Sequence, residues 1–246
     1  MAKLTNRISG LDLYTSVTDL PGAERYGERI PGLNGKEFCL ALAGASALVK
    51  GNLLQTSAED ITYENMAVGT AGAVGDAFLQ ITNGTATITA EQFKGGQISA
   101  YTAGTVAIGD EYTILDITGT LTTGGALKVW LDRPLRYAYT TSAKVVMKRN
   151  MYNGVIQMPA TTPTGIAVGI AIYEIPAAAY GYVQTRGAAS CLSDGSTFAV
   201  GSAVGTPSGT AGCVTVYAAA TTKQAIGVAQ EAAASGHCIS VNLIGF

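Results

Sequence analysis

The chain of 246 residues carries a single histidine and a single tryptophan. One imidazole cannot build a multi-histidine metal site, and the four cysteines do not fill the gap. Cys39, Cys191, Cys213 and Cys238 are scattered and contain no C-x-x-C pair, which removes zinc-ribbon and thioredoxin-type chemistry. They read as buried, reduced thiols, since a chain this long needs no covalent staples. Charge is scarce as well: 13% of residues are charged, about half the usual quarter. The 15 basic and 17 acidic residues leave a formal net charge of −2, so no positive field gathers nucleic acid or an anionic membrane. The opening MAKLTNRISGLDLYTS has no apolar stretch of the kind a secretory leader needs.

The usual chemical signatures are missing too. No G-x-S-x-G elbow, Walker A loop or G-x-G-x-x-G turn occurs; GASAL at Gly44, GTPSG at Gly205 and GTAGAVG at Gly69 only approach them. No acidic loop has calcium-site spacing. His237 and Cys238 are neighbours, and adjacent strand residues point to opposite faces, so they cannot act on each other. Glu59-Asp60 and Asp110-Glu111 read as turn-flanking acids. A glycosidase needs two carboxylates facing across a cleft, and 12 Tyr, 5 Phe and 1 Trp are few rings for stacking on sugar. Lys144, Lys148 and Arg149 read as a solvated strand end. Asn83-Gly84-Thr85 matches a glycosylation sequon but, without a leader, reads as a turn. The expectation is therefore a protein with no catalytic residues, no cofactor and no metal.

What is present is apolar and β-prone. Hydrophobic residues make up 48% and glycine contributes 31 positions, enough for a sizeable core and many turns. Period-two alternation marks ALKVWL (126–131), with Leu127, Val129 and Leu131 on one face and Lys128 and Trp130 on the other. GTATITA (84–90), EYTILDITGTL (111–121), AKVVMK (143–148), GVIQM (154–158), GIAVGIAIYEI (165–175), YGYVQT (180–185) and CISVNLIGF (238–246) also read as strands. Glycine turns recur between them, and AVGDAFLQI (73–81) echoes AIGDEYTIL (107–115) as a turn launching a strand. The stretches 41–49 and 224–234 are Ala-rich but broken by glycine, and read as strand and loop. Residues 165–183 are nearly long and apolar enough to span a membrane, yet Glu174, Pro176 and the β-branched residues make them two strands around a turn. The expected fold is mainly β: two small barrel- or sandwich-like domains, 37–150 and 151–246, behind an extended arm at 1–36.

The arm mixes Arg7, Tyr14, Arg25, Tyr26 and Arg29 among turn-forming Gly and Pro residues. Arg and Tyr are enriched at interfaces, so these five, with Phe246 at the end of the last strand, are the expected contact residues. Residues 151–246 hold only Arg186 and Lys223 against Glu174, Asp194 and Glu231. So bare a surface suggests cover by other chains, a Thr/Ser/Gly-hydrated surface being the alternative.

GYVQTRGAAS (181–190), the Asp194-Gly195 turn, FAVGSAV (198–204), AIGVAQ (225–230) and the final strand 239–246 resemble the small β-rich decoration domains of tailed-bacteriophage capsids. ALVKGNLLQTSAED (47–60), PLRYAYTTSAKV (134–145) and YNGVIQ (152–157) look like phage virion proteins that pair such a domain with a second β module. The resemblance implies a capsid decoration, or cement, protein. It implies a homotrimer on the capsid exterior that binds between major capsid protein subunits and stabilises the shell, made in the host cytoplasm, with no nucleic-acid or membrane partner. Another virion part, such as a head fibre, tail or receptor-binding protein, is the second expectation. An enzyme or carbohydrate-binding module, needing a cleft lined with rings or carboxylates, is the third.

Overall fold

A computed structural model describes residues 12–19, 26–84, 86–102, 108–218, 223–234 and 236–246. In chain order the strands are β1 (Arg29–Pro31), β2 (Glu37–Ala43), β3 (Leu53–Gln55), β4 (Met66–Thr70), β5 (Phe78–Thr82), β6 (Gln97–Ala100), β7 (Glu111–Gly119) and β8 (Ala126–Leu131). They continue with β9 (Lys144–Lys148), β10 (Asn153–Gln157), β11 (Ala167–Ala171), β12 (Tyr180–Leu192), β13 (Ala203–Gly205), β14 (Thr215–Val216), β15 (Ala225–Ala229) and β16 (Cys238–Leu243). The only helical pieces among the described residues are three single turns. The mainly β expectation holds, and no described helix is long and apolar enough to cross a membrane.

The chain divides into two compact units, but not where the composition suggested. One unit is residues 60–150; the other joins 1–59 to 151–246. The seam near 150 matches the cluster of turn residues there. The boundary at 37 does not exist, because β2 and β3 pair with strands from beyond residue 150 rather than with those that follow them. The first β module is thus an insertion of 60–150 into a domain that starts earlier.

The inserted unit is a closed barrel in the order β4-β5-β8-β7-β6-β9, antiparallel throughout. Closure removes the exposed edges an open sheet would present. Its lumen is filled by alternate residues, among them Val68, Leu79, Ile81, Ile98, Ile114, Ile117, Leu127, Val129, Val145 and Met147. Each such side chain contributes roughly 1.5–3 kcal/mol on burial. The alternation read in ALKVWL is observed: Leu127, Val129 and Leu131 are buried, Lys128 and Trp130 exposed. The two echoing segments each launch a barrel strand from a positive-φ glycine, Gly75 (96°) before β5 and Gly109 (79°) before β7.

GTATITA does not form a strand. Among its described residues, Ile88 is buried as a plug and Thr89 forms a capping box with Gln92. Asn83-Gly84 is likewise no hairpin turn, since β5 pairs with β4 and β8. The Asn83 side chain is buried, and its Nδ2 donates to the carbonyls of Ala86, Leu121 and Thr122 at 2.8–3.0 Å. It clamps two loops together, which leaves the amide no room to carry a glycan.

In the other unit the pairings β2–β10, β10–β3, β3–β11, β11–β12 and β12–β2 form a closed circuit, with β2–β10 its parallel member. Beyond it, β12 continues into an antiparallel sheet β12-β16-β15-β13-β14, and β1 lines the other side of β2. Two cores result. One gathers Leu40, Leu54, Val155, Val168, Tyr182 and Val183. The other gathers Leu53, Ile170, Cys191, Phe198, Val204, Ile226, Ile239 and Val241. β3 and β11 serve both, which is why each is buried along its whole length. β12, at 13 residues, runs well past the predicted YGYVQT. Its register against β2 shifts between Gln184 and Arg186, where buried Gln184 donates from its amide to the carbonyls of Arg186 (3.0 Å) and Ala188 (2.8 Å).

Candidate docking surfaces

The expected contact residues do not gather into one outward-facing patch. Arg7 and Arg25 lie outside the described residues. Tyr26 is buried in its own unit's core, with its ring stacked on Tyr180 at 6.1 Å. Leu13 is buried in the same core, and Val17 bridges Tyr180. The described part of the arm therefore packs on its own chain. Arg29 donates from Nη2 to the Phe246 main-chain oxygen at 2.8 Å and pairs with Glu37 at 3.4 Å. Phe246 packs partly buried against the second core. Tyr14 alone keeps an exposed ring (66%), edge-on to Tyr173.

The few charges of 151–246 are largely absorbed by their own fold. Asp194, in the predicted Asp-Gly turn, accepts from Ser196 (N at 3.3 Å, Oγ at 2.8 Å) and Ser208 (N at 3.2 Å, Oγ at 2.8 Å). Burial alone would raise its pKa; the four donated bonds outweigh that and hold the carboxyl below its usual range. Lys223 Nζ donates to the carbonyls of Pro207 and Thr161. Glu231 accepts from Ser240 N at 2.8 Å, and Arg186 pairs with Glu37 at 3.3 Å.

What this leaves is an uncharged sheet face. Cross-strand registers place Ala188, Asn242, Val228 and Ala203 side by side across β12, β16, β15 and β13. Asn242, Val228 and Ala203 are exposed and Ala188 is half-buried. Ser190 and Ser240 form the next row, where Ser240 Oγ donates to Gln230 Oε1 at 2.8 Å. The row escaped sequence reading because it joins residues from four separate strands. The signal that could have found it is the outward half of the alternation in AIGVA and CISVNL, with no charge in either.

Burial pushes the Cys39 and Cys213 thiols up, and that of Cys191 up to about 12, so none is a thiolate at neutral pH. Cys238 is exposed, contrary to the expectation of buried thiols, and all four are free. Among the described residues no three His, Cys, Asp or Glu side chains converge as a metal site. Asp110, read as a turn acid, is buried. It is held by Tyr112 Oη and by Arg136, whose Nε and Nη2 donate at 3.1 and 2.7 Å. Asp60 accepts from Thr62 N at 3.0 Å at the start of a single helical turn. No protein-family model matches this chain, and no curated protein or solved structure matches it either.

Proposed function

We propose that this chain is a virion structural protein that decorates and cements a phage capsid, binding between major capsid protein subunits as a homotrimer. The observation that carries this reading is the largely exposed row Ala188, Asn242, Val228 and Ala203 across β12-β16-β15-β13, which holds no charged side chain, while Asp194, Lys223 and Glu231 bond to their own fold. Covering such a face releases water from apolar and small polar groups without desolvating an ion, which is the costly part of burying a surface. A closed symmetric assembly would use the same face on every copy. Ligation to the assembled shell but not to free subunits would stabilise the shell by mass action. Under this reading the protein acts outside the shell, without substrate or cofactor. Adding the purified protein to undecorated capsids of the encoding phage should give stoichiometric binding and a higher disruption temperature. Capsids that neither bind it nor gain heat resistance would refute the proposal.

A further inference from the structure

The docking face lies on one unit; the outer wall of the inserted barrel carries a different surface. On it Phe78 of β5 and Asp116 of β7 flank Trp130 of β8 in register, and Gln80, Lys128 and Thr118 form the next row. The Phe78 and Trp130 rings sit 5.1 Å apart, tilted by 53°. Trp130 is exposed (37%), although tryptophan is on average among the more buried residues. A bulge at Leu115 sets this register: Ile114 faces Leu131 and Asp116 faces Trp130, so two steps on β7 match one on β8. Bulges of this kind re-aim side chains beside functional sites.

The groups around the rings can both donate and accept. Thr118 Oγ1 accepts from Trp130 Nε1 at 3.1 Å, which leaves its hydroxyl hydrogen to donate. Asp116 Oδ1 accepts from Ile117 N at 2.9 Å, which leaves Oδ2. Lys128 Nζ lies 5.0 Å from the Phe78 ring centroid with ammonium hydrogens to spare, and half-buried Gln80 is its cross-strand neighbour on β5. One cation and one carboxylate cancel, so the wall offers a polyanion such as nucleic acid no net attraction. Six side chains fall well short of the roughly 800 Å² per side of a stable protein interface.

We infer that this wall is a binding platform for a neutral oligosaccharide. The apolar face of a sugar ring stacks on Trp130, which the tilted Phe78 ring supports from the side, and its hydroxyls bond to Gln80, Asp116, Thr118 and Lys128. Asp116 is the one carboxylate among these six side chains, so the facing pair a sugar-processing enzyme needs is missing from the platform, which fits capture without hydrolysis. It stands on residues separate from the capsid-docking face, so either reading can fail alone.

Because the protein has one tryptophan, its indole fluorescence reports on this site only. The full-length protein would be titrated with four neutral oligosaccharides, of β-linked glucose, α-linked glucose, mannose and N-acetylglucosamine. A saturating blue shift and protection from acrylamide are expected with at least one of them, with half-saturation at about 1 mM or below. Phe78→Ala should weaken that response by roughly tenfold, because it removes the ring that supports Trp130 and holds Lys128 in place. Gln80→Ala, which leaves both rings in place, should weaken it severalfold with an unchanged circular-dichroism spectrum. Emission unmoved by all four sugars up to about 10 mM would overturn the inference. So would a response to heparin or single-stranded DNA alone, a shift that follows protein concentration without sugar, or a sugar response untouched by both substitutions.

Discussion

Asp194 shows how a charge-poor domain uses a charge it keeps. Its carboxylate closes a turn by taking four hydrogen bonds from Ser196 and Ser208, and Ser196 Oγ in turn meets Thr215 Oγ1 at 2.8 Å. Hydrogen bonds to a charged group are the stronger kind, so Asp194→Asn should cost about 1–3 kcal/mol at neutral pH. Because the folded pKa is depressed, this stability is fully present above the unfolded value near 4 and disappears as pH falls through the folded one. Urea denaturation of both proteins at pH 7 and pH 3 checks this. The gap between them should be wide at pH 7 and shrink in acid, and a gap independent of pH would contradict it. The Asp-Gly turn itself was legible in the sequence. The serine partners were not, because Ser208 approaches from another loop.

At the scale of the element, bulges decide which face a side chain takes. In β11, Ala167 pairs with Gln55 and Gly169 with Leu54, so Val168 and Gly169 together oppose one residue of β3. That extra residue places Val168 in one core while Ala167 and Ile170 enter the other. Gly169 holds φ at +149°, and a Cβ there would lie 2.5 Å from the Gln184 carbonyl oxygen. Gly169→Ala should therefore destabilise the fold by roughly 2–3 kcal/mol or more, through backbone strain and a clash that no rotamer relieves. The check is the thermal midpoint, which should fall by several degrees; an unchanged midpoint would remove the bulge from the account. Strands with one wet face, such as β8, were readable from alternation. β11 read as a strand too, but a segment buried on both faces shows no alternation, so its bulge and its end at Ala171 were hidden.

For the whole molecule, the proposed assembly makes the uncharged sheet face the place to intervene. Val228 is 40% exposed, so Val228→Lys should leave stability within about 0.5 kcal/mol. Buried between copies or against a shell, the new ammonium would be an unpaired charge. Sedimentation should show the wild-type protein as a trimer and the Val228→Lys protein as a monomer with reduced capsid binding. A monomeric wild type, or a variant that assembles unchanged, would take this face out of the proposal. The arm residues are the weaker targets, since Tyr26 and Arg29 already serve their own unit.

The sequence by itself determined the β class, the scarcity of charge and the absence of familiar catalytic motifs, because composition and period-two alternation are local properties that survive any arrangement of the strands. Tertiary structure decided that residues 60–150 are an insertion, that β2 and β3 close a circuit with β10, β11 and β12, and that Tyr26 turns inward. It also brought Phe78 beside Trp130 and aligned Ala188, Asn242, Val228 and Ala203. Such pairings join residues far apart in the chain. They are selected by which faces can be buried together, and no local pattern carries that information.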